Sequence, residues 1–531
     1  MKKAKRLLAI LLVAAMLLGT AACGNSDASS EAVTGSNAAD GSTSETAAGS
    51  IKEQIVIARP EDSNNLDPVT QDGNVNIWVL NLVMEGLMQI NPETHEIEPD
   101  LAESYEVSDD YLTYTFKIKE GLTFSTGEPV LGEDFVWSYE RAMNTETSSW
   151  TELCSQIESV EAPDDTTFIV HMKSPCPYAE ATFSLFTLTI GDKSYFDEVG
   201  LDQYALGPVG TGPYAFSEWE QGVALTLTKN PNYRDADSVQ TESIKFTVVP
   251  DDNTRIMQLE NGDVDAVTFV PWSYLAELEA RDDITVLNDD STEVRAIMLN
   301  CVNGPTSDVR VRQALYMATN LDAINATVLY GHGTVADSFL NSSLPYYSSV
   351  TTVGYDIEAA KALLAEAGYA DGLNLTFTIV SGNTVAEQIA TMVQQQWSEI
   401  GVNLTIETYE AGTHNSMRDN LELDMFFGGW TSDILDPSQQ VSYFCNPNLA
   451  DCVHTGWSND EVTALVQAAE VEMDSEARAD EYAQIQQIYA DEVPAIILYY
   501  APFSTATSSK LTGFTQLPNG AYVFDNLVCT E

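Results

Sequence analysis

The stretch from Leu421 to Phe444, L-E-L-D-M-F-F-G-G-W-T-S-D-I-L-D-P-S-Q-Q-V-S-Y-F, brings together residue types from which a ligand site can be built. Met425, Phe426 and Phe427 form a short apolar run suited to a strand covered on both faces, and Gly428 and Gly429 come where that strand is expected to leave its sheet. Two residues without side chains let the backbone approach a ligand, Trp430 offers a flat apolar wall, and Asp433 adds a carboxylate. An aspartate in a loop also often bonds its own backbone, so the residues alone leave ligand and turn both open for Asp433. Asp436, followed by Pro437 and Ser438-Gln439-Gln440-Val441, reads as the N-cap of a helix with proline at its first position.

Other chemistries are poorly supplied. The five histidines, at 95, 171, 332, 414 and 454, show no paired ligand spacing, so neither a metal site nor a cofactor is expected. There is no Gly-x-Ser-x-Gly elbow and no His-Glu-x-x-His helix, which leaves a secreted hydrolase as a distant alternative to a chain that is not an enzyme. Gly207 to Tyr214, rich in glycine and proline, lacks the terminal Gly-Lys-Ser/Thr of a phosphate loop and instead feeds a strand pair, Tyr214 to Trp219 and Ala224 to Lys229.

The elements that must position these residues belong to a chain of 531 residues, long enough for two or three cored domains. Charged residues make up only 19%, but 80 Asp+Glu against 23 Lys+Arg give net −57. Such a field repels phosphate, so no nucleic acid partner and no direct binding to anionic headgroups are expected of the folded part.

Lys2, Lys3, Lys5 and Arg6 precede an apolar run from Leu7 to Leu18, then Gly19-Thr20-Ala21-Ala22-Cys23. This is the pattern of an export signal over residues 1–22, too short to span a bilayer comfortably. Small residues before Cys23, with Gly24 after it, resemble a bacterial lipobox, although Thr20 departs from the usual leucine. The resemblance implies lipidation of Cys23 and anchoring by lipid alone; plain cleavage after Ala22 is the alternative. Residues 23–50 carry no periodic apolar set and read as a tether with a reach of roughly 30 Å. Loss of the signal and its four basic residues leaves net −61.

From Ile51 onward short strands and helices alternate. Gln54 to Ala58 reads as a strand and Val75 to Leu87 as a helix; Leu112 to Ile118 and Phe168 to Met172 alternate as half-buried antiparallel strands. Past residue 300 the periodicity is more regularly α/β: a strand at Leu373 to Ile379, a helix burying Ile389, Val393 and Trp397, and a strand at Val402 to Ile406 make a right-handed parallel βαβ unit. Ligands in such sheets bind beyond the carboxyl ends of strands, which is where Gly428, Gly429 and Trp430 are expected. Trp457 follows a polar loop, and Trp272, Trp430 and Trp457 could line a peptide slot or stack on a sugar. Six cysteines remain beside Cys23; Cys445 and Cys452, flanking a short polar loop, are the first candidates for a disulfide, with Cys154 and Cys176 second.

Leu66-Asp67-Pro68, Glu85-Gly86-Leu87, Pro99 to Ser104, Gly121 to Ser125, Gly210 to Tyr214, Val311 to Leu315, and Gly429 to Asp433 with Asp436-Pro437 occur in an order that resembles the bacterial extracellular solute-binding proteins of the peptide/nickel class, family 5. The resemblance covers nearly everything from 54 to 515. It implies an α/β fold of two lobes, periplasmic-binding-protein-like and of type II, with an extra subdomain on the first lobe. Lobe I is expected over 51–300 with the subdomain at about 92–205, lobe II over 301–495, and a return to lobe I over 496–531. It further implies an exported, monomeric receptor that delivers short peptides to an ABC transporter permease. In peptide-binding members the aspartate three residues after this tryptophan pairs with the ligand's α-ammonium, and Asp433 stands at that place. The same fold serving an oligosaccharide, a nickel chelate or haem is the alternative. A carboxylate receptor cannot be placed; Arg418 is merely the nearest basic residue.

Overall fold

The computed structural model describes residues 50–531 apart from 72, 149 and 447–452. Residues 1–49, where the export signal, lipidated Cys23 and tether are expected, lie outside the described residues, as does Cys452, the expected partner of Cys445. No helix of the described residues is long and apolar enough to cross a membrane.

Two large sheets carry the architecture. The first has seven strands in the order Ile284–Asp289, Phe503–Ser508, Ala266–Thr268, Gln54–Arg59, Ser243–Val248, Ala224–Lys229, Tyr214–Glu220. The second has six, in the order Thr334–Val335, Ala495–Tyr500, Val294–Leu299, Met425–Trp430, Leu373–Val380, Val402–Tyr409. A four-stranded antiparallel sheet of Ala102–Val107, Thr113–Ile118, Thr167–Met172 and Ile157–Asp164 forms a small subdomain. Each sheet buries its own apolar set. Trp397 on the helix Thr384–Ser398 is fully buried under the six-stranded sheet, its indole N–H donating to Thr319 Oγ1 at 3.0 Å, so the polar atom of the largest core side chain is satisfied.

The βαβ unit read from periodicity is present: Leu373–Val380 and Val402–Tyr409 pair in parallel over their whole length on either side of the helix Thr384–Ser398. The expected helix over 75–87 is shorter, Asn74–Leu80, because the Leu82 and Val83 carbonyls turn to accept the N–H groups of Tyr214 and Gly212. Val294–Leu299 and Ala495–Tyr500 are neighbours in the six-stranded sheet, so the chain passes between the two large sheets just before Val294 and at Ala501-Pro502. Ala495–Tyr500, buried at every position, reads as a return strand in sequence, but its apolar faces are covered within the second lobe.

Candidate ligand-binding site

The strand Met425–Trp430 keeps both glycines inside its ladder. Gly428 pairs with Ala296, Gly429 with Arg295 and Trp430 with Val294, while the neighbour on the other edge, Leu373–Val380, pairs only at Met425 and Phe426. The expectation that Gly428 and Gly429 lie beyond the sheet with backbone open to ligand is therefore corrected. Their role is space: a Cβ at Gly428 would come 3.1 Å from Phe426 Cε2 and 3.2 Å from Met298 Cγ, and one at Gly429 would come 2.7 Å from Arg295 Cδ.

After Trp430 the chain is held by reciprocal bonds to the lobe crossing. Ser432 N–H donates to Thr292 Oγ1 at 2.8 Å and Thr292 Oγ1–H donates to the Ser432 carbonyl at 3.0 Å, while Asn519 Nδ2 of the first lobe reaches the Asp433 carbonyl at 3.1 Å. This fixes the backbone of Asp433 on both sides. Gln439, in the first turns of the helix Pro437–Cys445, clamps the same residue, its Oε1 accepting the Asp433 N–H at 2.7 Å and its Nε2 donating to Asp433 Oδ2 at 2.6 Å. Asp433 is 8% exposed, and that remaining surface faces a cavity of about 120 Å³ whose other walls come from the first lobe. No lysine, arginine or histidine of the described residues forms an ion pair with it. Burial pushes the carboxyl up to about 6, and the Gln439 amide only partly offsets that. Glu85, Asp100 and Asp525 line the same cavity; Arg234 pairs with Glu85 at 2.6 Å and with Asp100, while burial drives both of those carboxyls upward. Four carboxylates thus line the cavity; Glu85 and Asp100 share Arg234, while Asp433 and Asp525 form no ion pair among the described residues, and Asp433 is the one supplied by the second lobe.

Asp436 is the helix cap that its sequence context suggested, its Oδ1 accepting the Ser438 N–H at 2.8 Å. It also makes a buried two-pronged pair with Arg478, at 2.7 and 2.8 Å, which no local pattern foretells. Trp430 is half-buried and edge-on to Tyr443 at 4.5 Å, and it does not line the cavity that Asp433 faces. Trp457 is a core residue, 4% exposed, with its indole N–H on Glu492 Oε2 at 2.6 Å; it does not reach the site. Arg418 pairs with Asp419 at 2.9 Å. Cys154 and Cys176 are separate buried thiols, so that second-choice pair is not formed.

A second cavity, about 430 Å³, lies between the lobes. The first lobe contributes Trp78, Phe269, Trp272 and Phe503, the second Arg295, Thr384, Phe427 and Tyr499, and Ala501-Pro502 at the crossing closes it. Of these the sequence marks Trp272 as a candidate wall of the site and Phe427 only as part of an apolar strand. The signal for Arg295 was present but faint: a lone arginine in the apolar run Val294 to Leu299, where alternation points it to one face.

Residues 96–450 match the model of the bacterial extracellular solute-binding proteins, family 5. The chain belongs to that family. As a family 5 protein it is 28% identical over 476 residues to heme-binding protein A of Haemophilus influenzae, which spans 83% of this chain and 86% of the relative. It is 27% identical over 489 residues to the glutathione-binding protein GsiB of Escherichia coli, spanning 89% and 94%. Among solved structures, the DppA periplasmic binding protein of Helicobacter pylori in complex with the peptide STSA superimposes with a TM-score of 0.79 at 25% identity, covering 90% of this chain and 98% of the other. The two-lobe α/β architecture is thus the family 5 fold.

Proposed function

We propose that this family 5 protein is the substrate-binding lipoprotein of an ABC importer, and that it captures short peptides between its lobes through their α-ammonium group. The observation that carries this reading is the Asp433 carboxylate: buried, clamped by one neutral amide, facing a cavity and without a cation. A desolvated carboxylate held in that way is stabilised by an ammonium, and the α-ammonium is the cation ordinary peptides share. The names of the relatives support the reading, since glutathione is a tripeptide with a free α-ammonium and STSA is a tetrapeptide. The membrane is reached by lipid at Cys23 on the outer face of the cytoplasmic membrane, and the loaded monomer hands its peptide to a permease.

The aromatic walls of the larger cavity favour a second reading, a planar or pyranose solute such as haem or a sugar. Calorimetry separates the two. A tri- or tetrapeptide binds wild-type protein, its N-acetylated form does not, and Asp433→Asn loses about 2–5 kcal/mol of affinity. Binding that ignores both acetylation and Asp433→Asn removes the ammonium reading.

A further inference from the structure

We propose that the 430 Å³ cavity between the lobes seats the C-terminal residue of the bound peptide, with an aromatic side chain against its ring-lined walls and the terminal carboxylate on Arg295. This rests on the peptide reading given above and names the specificity of its far end.

The cavity has the size and the surface for an aromatic group. Six rings line it: Trp78, Phe269, Trp272, Phe427, Tyr499 and Phe503. Trp78 and Phe269 stack at 5.2 Å with 11° between their planes, and Phe503 meets Trp78 edge-on at 5.1 Å, which makes a rigid apolar wall from the first lobe. Phe269 is held at φ 54° and left 42% exposed. A non-glycine residue in the left-handed region costs of order 1–3 kcal/mol, and it is retained here in a ring that the core does not cover but the cavity does. An apolar cavity of about 150 Å³ already accommodates a benzene ring, so this one has room for an aromatic residue and its carboxylate.

The charge for that carboxylate comes from the second lobe. Two arginines line the cavity, and one is committed: Arg255 is 1% exposed and bonds Asp252, the Val249 carbonyl and the Phe269 carbonyl. Arg295 keeps 37% of its side chain exposed, is held through Nε by Glu293, and among the described residues has no acceptor on either Nη atom. That leaves the outer edge of the guanidinium for a two-pronged bond to a carboxylate. Thr384 and Val385, the first residues of the 15-residue helix Thr384–Ser398, line the same cavity and bring the positive end of its dipole there.

The separation of the two charges suits a short chain. Arg295 pairs with Gly429, and Asp433 lies four residues further on, so their α-carbons are at most roughly 20 Å apart. An extended peptide of three to five residues spans about 10–17 Å, and side chains at both ends of the site cover the difference.

The test is calorimetry of the mature wild-type chain with four ligands: Ala-Ala-Phe, its C-terminal amide, Ala-Ala-Ala, and N-acetyl-Ala-Ala-Phe. The expected result is tenfold or tighter binding of Ala-Ala-Phe over both the amide and Ala-Ala-Ala. In Arg295→Gln the acid and the amide bind alike, while Phe269→Ala loses the preference for phenylalanine and keeps that for the acid. If wild type binds the acid, the amide and Ala-Ala-Ala equally while acetylation still abolishes binding, the cavity is not the C-terminal seat and the ammonium reading stands. If acetylation changes nothing or none of the four binds, the peptide reading falls and this inference with it. The amide comparison uses unaltered protein, so it decides even if a variant fails to fold.

Discussion

The side chain of Arg295 crosses the neighbouring strand over Gly429, so that a methyl group at 429 would stand 2.7 Å from its Cδ and collide with the Val294 carbonyl. Gly429→Ala is therefore expected to separate the two strands or displace the arginine. We expect a stability loss of roughly 1–3 kcal/mol by denaturant unfolding, the cost of overpacking a close contact, together with weaker peptide binding. Unchanged stability and affinity in Gly429→Ala would show that Arg295 has another path to the cavity.

The buried pair of Asp436 and Arg478 ties the start of the helix Pro437–Cys445 to the helix Ser475–Glu492. Arg478 is also stacked over Tyr178, Tyr346 and Tyr482 at 5.6, 5.4 and 5.0 Å. Asp436→Asn still caps the helix but leaves the guanidinium without its counter-ion, so thermal unfolding should show a loss of about 3–5 kcal/mol. A double-mutant cycle with Arg478→Met is expected to recover much of it, since removal of both charges leaves neither one buried alone.

Binding should depend on pH through Asp433. Its carboxyl lies at about 6 in the folded protein against an ordinary value of 3.8, so between those values the native state holds a proton the unfolded chain has lost. This group therefore favours folding below pH about 4, and the advantage, roughly 3 kcal/mol, fades as pH rises through 6. Peptide binding runs the other way. The ammonium requires the ionised carboxylate, so affinity is expected to be level above pH about 7 and to fall about tenfold per unit well below 6, with proton uptake on release. Calorimetry from pH 5 to 8 in buffers of different ionisation enthalpy measures both, and Asp433→Asn should flatten the profile.

Trp457 gives a contrast. Its indole sits in the core at 5.2 Å from Tyr489, bonds Glu492 and lines neither cavity. Trp457→Phe is expected to cost about 1–3 kcal/mol of stability, since it leaves Glu492 Oε2 without this donor, with peptide affinity unchanged. A change in affinity at constant stability would place Trp457 in the site.

Closure is expected to turn on the two crossings, just before Val294 and at Ala501-Pro502, because they carry the chain between the seven- and six-stranded sheets. Small-angle scattering should show a smaller radius of gyration with saturating peptide, and superimposable curves would argue against a hinge there. Thermal midpoints should rise with peptide concentration by mass action.

What the sequence determined by itself was what local pattern can carry. Apolar alternation and helical periodicity fixed the βαβ unit around the helix Thr384–Ser398, and Asp436 before Pro437 fixed a helix start, because both depend on neighbours a few residues away. The run from Trp430 to Asp433 marked out one carboxylate that the fold indeed buries against a cavity. Tertiary structure decided everything that rests on partners distant in the chain. Gly428 and Gly429 resemble a ligand loop until Val294–Leu299 is laid beside them; then Gly429 is the space that Arg295 needs, and Gly428 the space that Met298 and Phe426 fill. Trp457 resembles a wall of the site until Glu492 and Tyr489 enclose it. Ala495–Tyr500 belongs to the second lobe because a strand's apolar faces say that it is covered, not by which sheet. Arg295 and Phe269, 26 residues apart in sequence and on different lobes, face one cavity only because the chain crosses between them, and no periodicity records that.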